Sequence, residues 1–242
     1  MNNKPLIVMV FVSIVFSTIA LWKVMVRDKG EELEQKVEAA ITKSPQIITN
    51  ALIKAQQQQV EQQQQQQQKA VQNFKEVLFH TSQDPRSGNS NGDVKVVEFF
   101  DYRCGYCRKA HEEIQNAVRE DGNVELIYKE LPIFGEDTSL SRAALSAHKQ
   151  GKYQEFHNAL MLSDGVLNEE GLENIAHSIG LNVEQWKKDL NAEDIKNAIQ
   201  DNRELAQKMH FNGTPLFVIG DTVIPGAAPK EEFLELFKKV RS

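Results

Sequence analysis

Apolar and polar positions divide the chain into stretches of different period. Residues 5–22 carry no charge over eighteen positions, with Lys4 before them and Lys23, Arg27 and Lys29 after. From Arg27 to His80 the chain is polar and almost free of glycine. Leu33, Val37 and Ala40/Ile41, then Ile48, Leu52 and Ala55, then Val71, Phe74 and Leu78 keep helical spacing, which predicts helix with one apolar stripe. Ser44-Pro45 has the form of an N-cap followed by a first helical residue. Between the stripes, residues 56–68 hold eleven glutamines interrupted only by Val60 and Glu61. They break the heptads too early for a sustained coiled coil, and such tracts are also compatible with disorder.

Beyond residue 80 the pattern changes. Residues 81–93, with Asp84-Pro85, Ser87-Gly88 and Asn91-Gly92, are dense in turn formers and mark entry to a compact domain. Residues 94–100 read as a strand, and good helix formers follow from Cys104 to about Glu120. Asp121-Gly122-Asn123 reads as a turn and residues 124–128 as a second strand, leading into Lys129-Glu130-Leu131-Pro132. Strand, helix and strand in about forty residues is a βαβ unit with parallel strands. Residues 137–210 show no strand pattern; helices there are punctuated at Gly151, Ser163-Asp164-Gly165, Gly180 and Asn191, with caps expected at Asn168 and Asn182. Gly213-Thr214-Pro215 then leads into Leu216–Ile219, a Gly220-Asp221 hairpin turn and residues 222–224. Pro229 opens a last amphipathic helix. The expected order is β-α-β, a helical block, then β-β-α.

Composition and charge narrow the picture. The chain of 242 residues has a globular composition, and its formal net charge of −6 offers nothing to nucleic acid. Residues 5–22 are long enough to span a membrane. Thr18-Ile19-Ala20 is a poor cleavage signature, so an uncleaved signal anchor over residues 1–26 is expected, with a cleaved signal peptide as the alternative. Residues 27–82 form a Gln-rich arm that either spaces the body from the membrane or associates with a second copy, a homodimer through residues 27–80. If helical from Ser44 to His80, it would reach on the order of 50 Å. Residues 83–242 form the α/β domain, with its helical insertion at about 137–210.

The chain's two cysteines, Cys104 and Cys107, follow the first strand directly. Cys104 falls where a helix begins, and unpaired backbone N–H groups with the positive dipole end favour a thiolate there. Cys104 is therefore expected to be the exposed nucleophile and Cys107, one turn inside, the thiol that resolves a mixed disulfide. A zinc site using His111 as third ligand is the rival reading; it lacks the second cysteine pair that structural sites use. With both cysteines in one motif, no structural disulfide remains. Export and a redox pair together suit an oxidising compartment.

These features closely resemble the DsbA-like family of bacterial thiol-disulfide oxidoreductases, built on the thioredoxin fold. The resemblance rests on Cys104-Gly105-Tyr106-Cys107 after the first strand, Glu98-Phe99-Phe100 within it, Gly213-Thr214-Pro215 before the third, and the helical insertion; it covers about Phe74 to the C-terminus. It implies a buried proton-shuttling carboxylate at Glu98, with Lys129 as its partner. It also implies a cis-proline at Pro215 facing Cys104, where the backbone pairs with an extended substrate. Gly105, Tyr106, Thr214 and Pro215 then meet the substrate. The Gly105-Tyr106 dipeptide and Thr214 are similar to those of the dimeric DsbC-type isomerases. His111, His148, His157 and His177 read as helix-surface or core histidines, and Phe99, Phe100 and Tyr102 as core or rim.

The expectation is a periplasmic enzyme tethered to the inner membrane, oxidising or isomerising disulfides in cysteine-containing client proteins. It needs no cofactor beyond the Cys104–Cys107 couple and no metal. Its membrane redox partner is a quinone-linked oxidase if it oxidises, or a thiol reductase if it isomerises. The competing class is a binding protein on the same scaffold: a chaperone, an adhesin or a copper-sequestering thiol protein.

Overall fold

A computed structural model describes residues 34, 36–81, 83–163 and 168–242. The expected anchor over residues 1–26 lies outside them. Among the described residues, no helix is long and apolar enough to cross a membrane. The chain divides into two compact units, Met1–Gln62 and Gln63–Ser242.

In the first unit residues 36–43 are helical, and a second helix, α1 (Gln46–Asn73), begins just after Pro45. Glutamine is a good helix former, and no glycine or proline interrupts the run, so the tract is helical throughout. Ile47, Ile48, Leu52, Ile53 and Val60 lie on this helix between 43 and 65 % exposed.

The second unit continues with α2 (Lys75–Phe79), β1 (Arg86–Gly88), β2 (Val94–Phe100), α3 (Gly105–Asp121) and β3 (Val124–Glu130). A block of helices follows: α4 (Ser139–His148), α5 (Tyr153–Met161), α6 (Glu169–Ser178), α7 (Val183–Asp189) and α8 (Glu193–Lys208). The chain closes with β4 (Leu216–Ile219), β5 (Thr222–Pro225) and α9 (Lys230–Arg241). Asn168 and Asn182 cap their helices as expected, accepting from Gly171 N at 2.9 Å and Gln185 N at 3.0 Å.

The sheet is mixed, in the order β1-β3-β2-β4-β5; β2 and β3 are parallel and every other neighbouring pair is antiparallel. This is the thioredoxin-like α/β arrangement, with the helical block inserted between β3 and β4. One strand was not expected. β1 falls in the turn-rich stretch and is only three residues long, too short for alternation to register. Gly88 sits there at φ +77°, and a Cβ on it would lie 2.4 Å from the Val124 carbonyl oxygen, so glycine is required.

Register determines which side chains share a face. Glu98 pairs with Tyr128, Phe99 with Lys129 and Phe100 with Glu130. Successive side chains alternate across a strand. Val96, Phe100, Leu126 and Tyr128 therefore pack with Cys107, Ile114, Phe156 and Phe233 on one face. Val97, Phe99 and Ile127 pack with Ala70, Val71, Leu78, Leu205 and Phe211 on the other. Helix α9 is fixed to the sheet by Phe233, whose ring meets that of Phe217 edge to face at 4.8 Å. Burying such a ring is worth about 1.5–3 kcal/mol.

Candidate active site

Strand β2 delivers the chain into a turn at Asp101, a carboxylate that is almost wholly buried. Its Oδ1 accepts from Arg103 N at 2.8 Å, and its Oδ2 from Ile133 N and Phe134 N at 2.8 and 3.0 Å. One side chain thus ties the turn before Cys104 to the loop after β3. Cys104 N donates to Asp101 O at 3.0 Å, and Arg108 Nε donates to Tyr102 O at 3.0 Å. These bonds hold Cys104 as the N-cap of α3, with extended backbone and no side-chain cap bond. The first-turn N–H groups of the helix are left without intrahelical partners, beside the Cys104 sulfur.

The Thr214–Pro215 peptide is cis. It faces the cysteine as the resemblance implied: Cys104 Sγ donates to Thr214 O at 3.2 Å. Both cysteines are free thiols. Cys104 is only 3 % exposed, which corrects the expectation of an exposed nucleophile. The Thr214–Pro215 loop, far off in sequence, lies against the sulfur. Tyr106, by contrast, is 68 % exposed. Cys107 is fully buried within hydrogen-bonding reach of Cys104, and burial pushes its thiol well above the ordinary range.

Glu98 is fully buried on the face that carries Cys107, and among the described residues neither carboxylate oxygen has a hydrogen-bond partner. Burial, reinforced by the charge of Glu130, raises its pKa to about 8. Lys129 does not join it. The register turns Lys129 to the opposite face, where its Nζ sits 2.6 Å from Asp84 Oδ2 and 3.1 Å from Val77 O. The Glu98–Lys129 pairing is therefore corrected: adjacent positions on paired strands point to opposite sides.

Several groups near Glu98 escaped the sequence reading. Glu130 is fully buried and raised to about 8, chiefly by burial. Its Oε1 accepts from Tyr102 Oη at 2.9 Å and Tyr153 Oη at 2.8 Å, while Oε2 has no partner. The single hydroxyl proton of Tyr102 goes to Glu130, so the 3.0 Å contact with His157 is donated by Nδ1–H. His157 is fully buried, and its ring meets that of His111 edge to face, with centroids 5.0 Å apart. Burial lowers both histidines, His111 to about 4. A polar residue closing an apolar strand was the only signal for Glu130; nothing in the pattern marked Tyr153 or His157. Among the described residues, no three His, Cys, Asp or Glu side chains converge as metal ligands.

The arrangement suits sulfur exchange: a sulfur at a helix N-terminus, a second thiol behind it, a carbonyl-lined loop opposite and buried carboxyls beneath. Comparison with known proteins agrees. The model of the DSBA-like thioredoxin domain family matches residues 95–238. A probable disulfide bond formation protein D of Bacillus cereus is 31% identical over 163 residues, 61% of this chain and 76% of that protein. A solved thioredoxin-like oxidoreductase from Silicibacter pomeroyi is 45% identical with a TM-score of 0.65, covering 69% of this chain and 96% of that one. The thiol-disulfide exchange protein alpha-DsbA2 of Wolbachia pipientis is 26% identical with a TM-score of 0.69, covering 73% and 97%.

Proposed function

The chain belongs to the DSBA-like thioredoxin domain family, and on that premise we propose that it is an exported thiol-disulfide oxidoreductase acting on cysteine-containing proteins through Cys104 and Cys107. The observation that carries this reading is the contact of Cys104 Sγ with the carbonyl of the cis Thr214–Pro215 peptide, with the buried Cys107 one turn behind. An extended client strand pairing with the backbone at Thr214 would bring its own sulfur against Cys104. In the oxidising direction a client thiolate attacks Cys104 of the Cys104–Cys107 disulfide, and Cys107 leaves as a thiolate that takes a proton. A second client thiolate then attacks the client sulfur of the mixed disulfide, which forms the client disulfide and releases Cys104. In the reverse direction Cys104 thiolate attacks a client disulfide. Cys107 then loses its proton and expels the client thiol, which leaves Cys104–Cys107 oxidised. A thiol as deeply buried as Cys107 needs an internal proton carrier, and the carrier proposed is Glu98, buried on the same face of the sheet. Gly105 and Tyr106, at the exposed start of α3, border the client path.

Oxidation and isomerisation both remain within this chemistry, and the redox partner sets the balance: a quinone-linked oxidase in the first case, a thiol reductase in the second. The location proposed is the periplasm, with residues 1–26 as anchor. Insulin reduction by dithiothreitol and reactivation of scrambled ribonuclease test the proposal. The expected result is acceleration of at least one by catalytic amounts of the chain; failure in both discards the enzyme in favour of a binding protein.

The arm supports a further part of the reading. Ile48 and Leu52, one helical turn apart, stand in the open on α1, an apolar stripe suited to a second copy of the same chain. Sedimentation of a protein lacking residues 1–26 should give an oligomer, and further removal of residues 27–68 a monomer. Identical monomers from both would reject self-association.

A further inference from the structure

Glu98 and Glu130 project from the same face of adjacent parallel strands, two register steps apart. Strand spacing and rise place their Cβ atoms on the order of 8 Å from each other, before two long side chains close the gap. Both are fully buried, and among the described residues no cation is hydrogen-bonded or ion-paired to either. Lys129 is held by Asp84 on the opposite face, Arg108 Nε by the Tyr102 carbonyl, and Arg203 by the Pro132 carbonyl. The groups around the pair are Tyr128 from β3, Tyr102 and Asp101 from the turn, and His111 from α3. Ser141 comes from α4, Tyr153 and His157 from α5, and Asn202 from α8, the last donating to the Glu130 backbone carbonyl. Both histidines are kept neutral by burial.

Two like charges in such a setting cannot form together without mutual cost. The two carboxyls are also not equivalent. Glu130 receives two tyrosine hydroxyls, whereas Glu98 receives nothing, so the negative charge settles on Glu130 first. We propose that Glu130 is a positioning residue for the thiol chemistry: its carboxylate, held by Tyr102 and Tyr153, keeps the proton on Glu98, where it is ready for the departing Cys107 thiolate. When Cys107 leaves the disulfide, Glu98 gives up its proton, and the S–H bond forms as the O–H bond breaks. When Cys107 resolves a mixed disulfide, the proton returns. This inference rests on the proposed role of Glu98, and its test separates the two.

Infrared titration of the protonated carboxyl band in the full chain reads the pair directly. The component lost in Glu98→Gln should persist in the wild type to about pH 8. In Glu130→Gln, whose amide oxygen still accepts from the tyrosines, it should vanish one to two pH units lower, by about the repulsion of two buried charges at that spacing. Glu130 ionises first, against a neutral Glu98, so its own band should stay in place in Glu98→Gln, a second readout of the order of ionisation if Glu130→Gln folds poorly. A Glu98 band that stays in place in Glu130→Gln, or a Glu130 band that moves down in Glu98→Gln, overturns the proposed pairing. Resolution of a Cys104 mixed disulfide, followed against pH, supplies the kinetic counterpart. Glu130→Gln should move the acid limb down by the same interval, and should leave it unmoved in the Glu98→Gln background. If Glu98→Gln alone leaves the limb where it was, the proton role of Glu98 fails, and the infrared shift still decides whether the two carboxyls are coupled.

Discussion

Cys107→Ser protein mixed in its reduced form with a disulfide-bearing client should accumulate a covalent adduct through Cys104, whereas Cys104→Ser should form none. The difference follows from where the structure puts each sulfur. Cys104 caps α3, with unpartnered backbone N–H groups beside it and the Thr214 carbonyl opposite. A client disulfide delivered along that loop meets Cys104 first. Cys107 lies behind it, fully buried, with its thiol pushed up by burial, and has no route to a client. Removing Cys107 deletes the intramolecular attack that frees the client, so the adduct persists until an outside thiol breaks it. Removing Cys104 leaves a thiol that is both inaccessible and protonated, and turnover of insulin should fall to the uncatalysed background. Non-reducing electrophoresis with mass spectrometry of the linked peptide reads both outcomes. An adduct through Cys107 in the Cys104→Ser protein would reverse the assignment.

The parts of this site that could be read from residue order are those carried by local pattern. Apolar runs and breakers placed β2, β3, β4 and the helix after Cys104, because each is bounded by turn chemistry within a few residues of itself. The cis Thr214–Pro215 peptide was reached through family resemblance, and its contact with Cys104 spans 110 residues of chain. Contacts across strands were harder. Lys129 was paired with Glu98, yet the parallel register matches residue 98 with 128, so a one-residue difference sent the lysine to the far face and to Asp84. Glu130 was hidden for a related reason. All seven residues of β3 are buried, because helices cover both sides of the sheet, and a strand buried on both faces has no alternation to interpret. Tyr153 and His157 come from the inserted helices, whose docking on the active-site face depends on tertiary packing that no local period encodes. The burial of Cys104 likewise depends on a loop that arrives only with the completed fold.

Glu98→Leu should make the protein more stable and a poorer exchanger. Glu98 is fully buried with both oxygens unpartnered, and its pKa is raised from the ordinary carboxylate value of 4.5 to about 8. The folded protein therefore binds that proton more tightly than the unfolded chain does. Below about pH 4.5 both states are protonated and the group's full contribution is present. Between there and about pH 8 the unfolded chain releases its proton while the native carboxyl keeps it, so stability declines as pH rises. At pH 7 the penalty is on the order of 2–4 kcal/mol. Leucine is about one methylene larger and has no charge to desolvate. The gap in urea midpoint between Glu98→Leu and the wild type, both reduced, should therefore widen from pH 5 to pH 8 in favour of the variant. The same substitution removes the proton carrier for Cys107, and resolution of the mixed disulfide should slow on the order of a hundredfold or more. A gap in stability that stays constant from pH 5 to pH 8 would mean that Glu98 is already ionised in the native state. The case for a buried acid beneath Cys107 would then be lost, because the gain at high pH and the loss of exchange both require that Glu98 hold its proton where an ordinary carboxyl would not.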